Sequence, residues 1–229
     1  MIKTVLFIIS LSIAFSQTPD ERGYIVKVGD DLPEFVMDFP NGSQINSKDL
    51  LGNVTMLQFT ASWCSVCREE MPHIEKEIWK IYKNIGMNVI GIDRDETAEI
   101  VKKFSKELKV TYPIALDPGA DIFALFADRN SGVTRNIIIN TDGKIEFLTR
   151  LFDPKEYLEM KKVIHSLLEN QFLEEKQTFI AQKQILKELK NKHTIDQNSS
   201  INKIEKNLFL LERKLNLKGR RLSYAEKLL

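Results

Sequence analysis

Phe59-Thr60-Ala61-Ser62-Trp63-Cys64-Ser65-Val66-Cys67-Arg68-Glu69-Glu70-Met71-Pro72 decides how the rest of the chain is read. It holds both cysteines of the 229-residue protein, spaced as C-x-x-C. An apolar run, Val54 to Phe59, precedes them. Met71, Ile74, Ile78, Ile81 and Tyr82 follow at helical spacing. The stretch reads as strand, turn and helix N-terminus, with Cys64 where the helix begins. Unpaired N–H groups and the positive end of the helix dipole favour an anion there, and a thiolate is one. A free cysteine loses its proton near pH 8.5, and C-x-x-C placed at a helix start ionises one to several pH units lower. The second sulfur is within reach to close a disulfide.

A structural staple is a poor alternative, because a two-residue gap closes too small a loop to stabilise much by chain entropy. Zinc would need about four ligands. The three histidines, His73, His165 and His193, are scattered, so no metal is expected. His73, on the active-site helix, reads as solvated or packed. A net charge of +1 points to no particular partner. No phosphate-cradling glycine loop, serine–histidine pairing or nucleic-acid motif is present.

Lys3 and the apolar run Val5 to Phe15, followed by Ala14-Phe15-Ser16 with small residues at the positions a signal peptidase reads, predict a signal peptide over residues 1–16. The protein is then expected to be exported, periplasmic and soluble after cleavage. Gln17 to Val26 is polar and reads as a linker.

Outward from the cysteines the elements alternate. Phe35 to Phe39 and Gln44 to Asn46 form a hairpin about the turn Pro40-Asn41-Gly42-Ser43. A capped helical turn follows at Ser47 to Gly52. After the first buried strand and the cysteine helix, which Pro72 should kink, come a strand over Met87 to Asp93 and a helix over Thr97 to Lys109. A short extended piece, Ile114 to Asp117, and a short helix, Ala120 to Ala127, lead to a hairpin, Ile137–Asn140 with Ile145–Leu148. A helix from Asp153 to Leu168 closes the domain. Strands alternating with helices predict an α/β fold with a central sheet covered on both faces. The hairpins make the sheet mixed.

This order, with Trp63-Cys64-Ser65-Val66-Cys67-Arg68, Glu70-Met71-Pro72, Gly132-Val133 and Ile137-Ile138-Ile139-Asn140-x-x-Gly143-Lys144-Ile145, resembles the thioredoxin fold. Within it the chain looks most like the exported TlpA/ResA-type thiol-disulfide oxidoreductases. The resemblance spans about Tyr24 to Leu168 and implies a thioredoxin-like domain over residues 27–168. It implies a Cys64 nucleophile, a more buried resolving Cys67, a redox-active Cys64–Cys67 disulfide and no cofactor. The substrate groove would be lined by Trp63, Ser65, Val66, Pro72, Thr134 and Arg135. Partners would be disulfide-bearing exported proteins and a membrane thiol donor of the DsbD type. Two positions depart from the family pattern. Thr134 stands where a cis-proline is usual, and a trans bond is expected there because a non-proline cis bond costs about 3 kcal/mol. Gln58 stands where thioredoxins carry a buried aspartate, so Glu96, with Asp93 and Asp95 behind it, is the candidate proton acceptor.

Two other readings stay open. One is a peroxiredoxin-like thiol peroxidase, invited by Thr134-Arg135. Against it, Ala61 and Leu57 stand where that family wants threonine or serine and proline. The other is a redox-inactive interaction module, which the tail makes worth carrying. Residues 169–229 form a basic helical extension, and from Asn170 onward it has 13 Lys+Arg against seven Asp+Glu, a net +6. Ile201, Ile204, Leu208, Leu211 and Leu215 step by three and four, a heptad-like stripe. Two helices in a hairpin are expected, Phe172 to Leu189 and the stripe, with a turn at Asp196 to Ser200. The stripe would pack on the partner helix, on the domain, or in a homodimer, and docking of the basic face on a membrane surface or a partner is the remaining reading.

Overall fold

Strand β3 (Val54–Thr60) is buried along its whole length, and the sheet is built outward from it. The computed structural model describes residues 19–192 and 198–229. The expected signal peptide and the residues around Asp196 lie outside that range. Seven strands lie in the order β2 (Gln44–Asn46), β1 (Val36–Asp38), β5 (Ile114–Asp117), β4 (Met87–Arg94), β3, β6 (Arg135–Ile139), β7 (Ile145–Arg150). β3, β4 and β5 are parallel, and the remaining pairings are antiparallel, so the sheet is mixed.

Right-handed crossovers that step the same way put their helices on one face. β3 to β4 runs through α1 (Ser65–Ile74) and α2 (Lys80–Tyr82), and β4 to β5 through α3 (Ala98–Leu108). The Arg68 guanidinium accordingly lies over the Phe104 ring of α3. α4 (Pro154–Lys192) returns to the same face, where Lys161 pairs with Glu77 at 2.9 Å. The chain from β5 to β6 passes under the other face and forms there the 3-10 turn Phe123–Leu125. Phe123 and Phe126 pack there on Phe59, with ring centroids 5.3 and 5.5 Å apart. Between β5 and β6 the expected helical cover is thus this one short turn.

Three expectations need correction. Residues 20–26 are not a loose linker. Tyr24 is buried, pairs with Ala127, and donates its hydroxyl to the Thr149 carbonyl at 2.5 Å. Arg135 is not in the groove. Neighbouring strand residues face opposite ways, so Asn136 points at α1, while Arg135 is buried against the Tyr24 and Phe123 rings, 4.9 and 5.4 Å away. It donates to the carbonyls of Arg22 and Gly132 and to Ser131 Oγ. Gly23 makes room for it: at φ +84° a Cβ would stand 2.6 Å from the guanidinium. Finally, the boundary at Leu168 falls inside one continuous helix, since no glycine or proline interrupts Lys155 to Lys192.

Pro72 has no N–H for the Arg68 carbonyl. The helix continues past it but widens into a π-helical turn, Glu75–Trp79. Beyond the domain, Phe172, Phe179 and Leu186 of α4 pack on Leu208, Leu211 and Leu215 of α5 (Asn198–Glu226). Leu222 and Ala225 of α5 join the main core, so the tail is seated on the domain. Ile204, placed on the expected stripe, is 41 % exposed.

Candidate active site

Cys64 is the N-cap of α1, with extended backbone. Its sulfur accepts from the Cys67 N–H at 3.2 Å, so a helix-start donor is aimed at it. The two cysteines are disulfide-bonded, with Cα atoms 5.3 Å apart. Cys64 retains 9 % exposure and Cys67 none, which makes Cys64 the sulfur that solvent or a substrate meets first.

The loop ahead of Cys64 is clamped from two sides. Both Glu96 oxygens accept from Ser62, one from its N–H and one from its hydroxyl, each at 2.6 Å. Arg68 donates to the Ser62 carbonyl at 3.0 Å and reaches Glu107 with its other arm. Trp63, between the clamped Ser62 and Cys64 in sequence, is 63 % exposed. Ser65 is exposed in the first turn and Val66 packs against the core. Pro72 is exposed, five residues beyond Cys67 and so about 7.5 Å along the helix.

Thr134 closes the site from the β6 side. Its hydroxyl lies 3.1 Å from the Cys64 sulfur and 3.3 Å from that of Cys67, and the residue is buried. No described peptide bond is cis, so Thr134 follows a trans bond. Its carbonyl accepts from the Leu151 N–H and from Arg150, both at 3.3 Å.

Two carboxyls on the elements that carry the site, Glu70 and Asp93, are buried in different settings. Glu70, three residues after Cys67 on the same side of α1, is buried, and burial pushes its carboxyl up to about 7. Amides from Asn136 at 2.6 Å and Gln58 at 3.3 Å hold it down in part. Tyr112 donates in turn to Gln58 at 2.7 Å. Gln58 therefore serves as a hydrogen-bonding arm to a carboxylate on the facing helix. Asp93 is fully buried next to Thr60 in register, and no donor reaches either of its oxygens. Burial, and then the neighbouring Glu96 carboxyl, push it up to about 9.

Sequence reasoning gave Glu70 no role. Its signal was the spacing Cys67 to Glu70, but a glutamate in the first turns of a helix is usually solvated, and only packing against Asn136 distinguishes it. Glu96 reaches the cysteines by way of Ser62, not directly. His73 packs on Phe152 and bonds Glu77, away from the sulfurs.

Comparison with known proteins gives a consistent picture. Residues 28–148 match the AhpC/TSA family. A Bacillus cereus protein named thiol-disulfide oxidoreductase ResA is 31 % identical over 166 residues, covering 69 % of this chain and 92 % of that one. The Bacillus subtilis protein of the same name is 30 % identical over 120 residues, 52 % of this chain and 65 % of its own. A solution structure of a candidate protein disulfide isomerase from Bacteroides thetaiotaomicron is 51 % identical, with a TM-score of 0.63, covering 64 % of this chain and 93 % of its own. A candidate thiol:disulfide interchange protein DsbE from Chlorobium tepidum is 25 % identical, with a TM-score of 0.56, over 62 % of this chain and 99 % of that one. The sheet order, the paired sulfurs at the start of α1 and a match across more than half its length agree: the chain belongs to the AhpC/TSA family of thioredoxin-fold proteins.

Proposed function

We propose that the protein reduces disulfides of exported proteins by exchange through Cys64 and Cys67. The observation that carries this is the asymmetry of the pair: Cys64 is partly exposed at the helix N-cap, and Cys67 is sealed beneath it. The Cys64 thiolate attacks one sulfur of the substrate disulfide. The substrate bond breaks, a mixed disulfide forms, and one substrate thiolate leaves and takes up a proton. The Cys67 thiolate then attacks the Cys64 sulfur and releases the second substrate thiolate. Two electrons have passed to the substrate, and the Cys64–Cys67 disulfide remains. Reduction of insulin disulfides by the purified protein tests the activity, and its absence would remove the reading.

Glu70 is the carboxyl we assign to the Cys67 proton. It is buried on the cysteine helix and is poised near neutrality by its surroundings. Glu96, whose oxygens are both engaged by Ser62, fixes the loop ahead of Cys64. The Thr134 hydroxyl donates to the Cys64 thiolate, a contact that a proline there could not make. In Glu70→Gln, resolution of the mixed disulfide should slow by about 10-fold or more. The wild-type rise in rate near pH 7 should flatten. An unchanged pH profile would take the proton-acceptor role from Glu70.

The protein would be exported and returned to its dithiol form by a membrane thiol donor of the DsbD type, measurable as re-reduction of the oxidised protein by such a donor. The peroxidase reading loses its main attraction, because Arg135 is spent on Tyr24 and on backbone carbonyls across the sheet. Rapid peroxide turnover would restore it. An inactive module is disfavoured by the clamped, partly open Cys64.

A further inference from the structure

We propose that the outward face of α5 is a docking surface for an anionic lipid bilayer, on which the helix lies flat. The face opposite the packed positions Leu208, Leu215 and Leu222 carries Phe209, Leu210, Leu217 and Tyr224, each 42–60 % exposed. Lys203, Lys206, Arg213, Arg220 and Lys227 interleave with them, and all five are exposed. Among the described residues none of these five is in an ion pair. The acids of α5 are elsewhere. Glu205 and Glu212 turn to α4, where they pair with Lys190 and Lys183, and Glu226, exposed at the helix end, stands one turn after the buried Leu222. From Lys203 to Tyr224 this face of the helix thus shows about 30 Å of apolar and cationic surface with no carboxylate.

Large apolar side chains among lysines and arginines suit the boundary between phosphate headgroups and acyl chains. A second copy suits it less. A twofold contact through this face would set the same five cations against themselves, which weighs against the expected homodimer forming here. No described helix is long and apolar enough to cross a membrane, so the contact is at the surface. The geometry leaves the chemistry free. Gln171 bonds the Gly52 carbonyl and Lys218 lies beside Gly86, so the tail is seated at the end of β3 where Val54 begins. Cys64 follows the other end, about 20 Å away.

The test is co-sedimentation of the full chain with vesicles of phosphatidylglycerol and phosphatidylethanolamine, against phosphatidylcholine alone. The expected result is binding to the anionic vesicles at about 0.05 M salt. It should weaken at least about 10-fold on phosphatidylcholine or at about 0.5 M salt. Arg213→Glu with Arg220→Glu should lose at least about 10-fold. Leu217→Ser with Phe209→Ser should also weaken binding, and disulfide reduction should be unchanged in both. Absence of binding to the anionic vesicles, or equal binding by the charge-reversed protein, would overturn the proposal. So would a stable dimer that Leu217→Glu dissociates, or an acidic protein partner held in preference to the vesicles.

Discussion

Cys64→Ser is expected to abolish disulfide reduction, with a loss of more than about 1,000-fold. A hydroxyl at this position has neither the nucleophilicity nor the acidity of a thiol, and the one remaining thiol, Cys67, is fully buried. Cys67→Ser should behave differently. Its Cys64 still attacks, but nothing resolves the product, so substrate accumulates as a mixed disulfide that dithiothreitol releases. Insulin reduction measures the first, and non-reducing electrophoresis with peptide mapping the second. Trapping of a mixed disulfide to the same extent by both variants would mean that the sulfurs do not hold the distinct positions that their exposures of 9 % and 0 % indicate.

Asp93→Asn should stabilise the protein at alkaline pH. The buried carboxyl stands at about 9 against an ordinary 3.8. That gap is worth on the order of 7 kcal/mol at about 1.4 kcal/mol per pH unit. It is an upper limit, since water entry and side-chain rotation relieve part of it. The folded protein holds this proton more tightly than the unfolded chain does. Stability from this group is therefore complete below about pH 3.8 and is lost as pH rises towards 9. Glu70, raised to about 7, adds a loss of the same sign between about 4.5 and 7. An asparagine keeps the shape and cannot ionise. Urea unfolding should find Asp93→Asn at least about 2 kcal/mol more stable than wild type at pH 9 and nearly equal to it at pH 4. Equal destabilisation at both values would show that the carboxylate is charged and satisfied where it lies.

The cysteine stretch was legible because each signal in it is local. An apolar run makes β3, an extended Cys64 caps a helix, and Asn41-Gly42 turns the first hairpin, all before any tertiary contact. What escaped depends on packing. Tyr24 lies in a polar segment that reads as a linker, and only the Arg135 guanidinium and the Thr149 carbonyl draw it into the core. Arg135 and Asn136 exchange faces with a shift of one residue in register, so sequence alone could not say which of them meets α1. Glu70 becomes distinctive only once Asn136 and Gln58 enclose it. The long α4 could have been read, since nothing between Leu168 and Phe172 breaks a helix. The Thr134 contact could not, because it joins residues 70 apart in sequence.

The most direct test of the account is the rate of iodoacetamide labelling of the reduced protein against pH, with peptide mapping to tell the two cysteines apart. Cys64 should label first, with a midpoint at least about one pH unit below the roughly 8.5 of a free cysteine. The midpoint should rise in Thr134→Val and return in Thr134→Ser. Labelling of Cys67 as fast as Cys64, or a Cys64 midpoint at or above about 8.5, would contradict a nucleophile activated by its place at the start of α1.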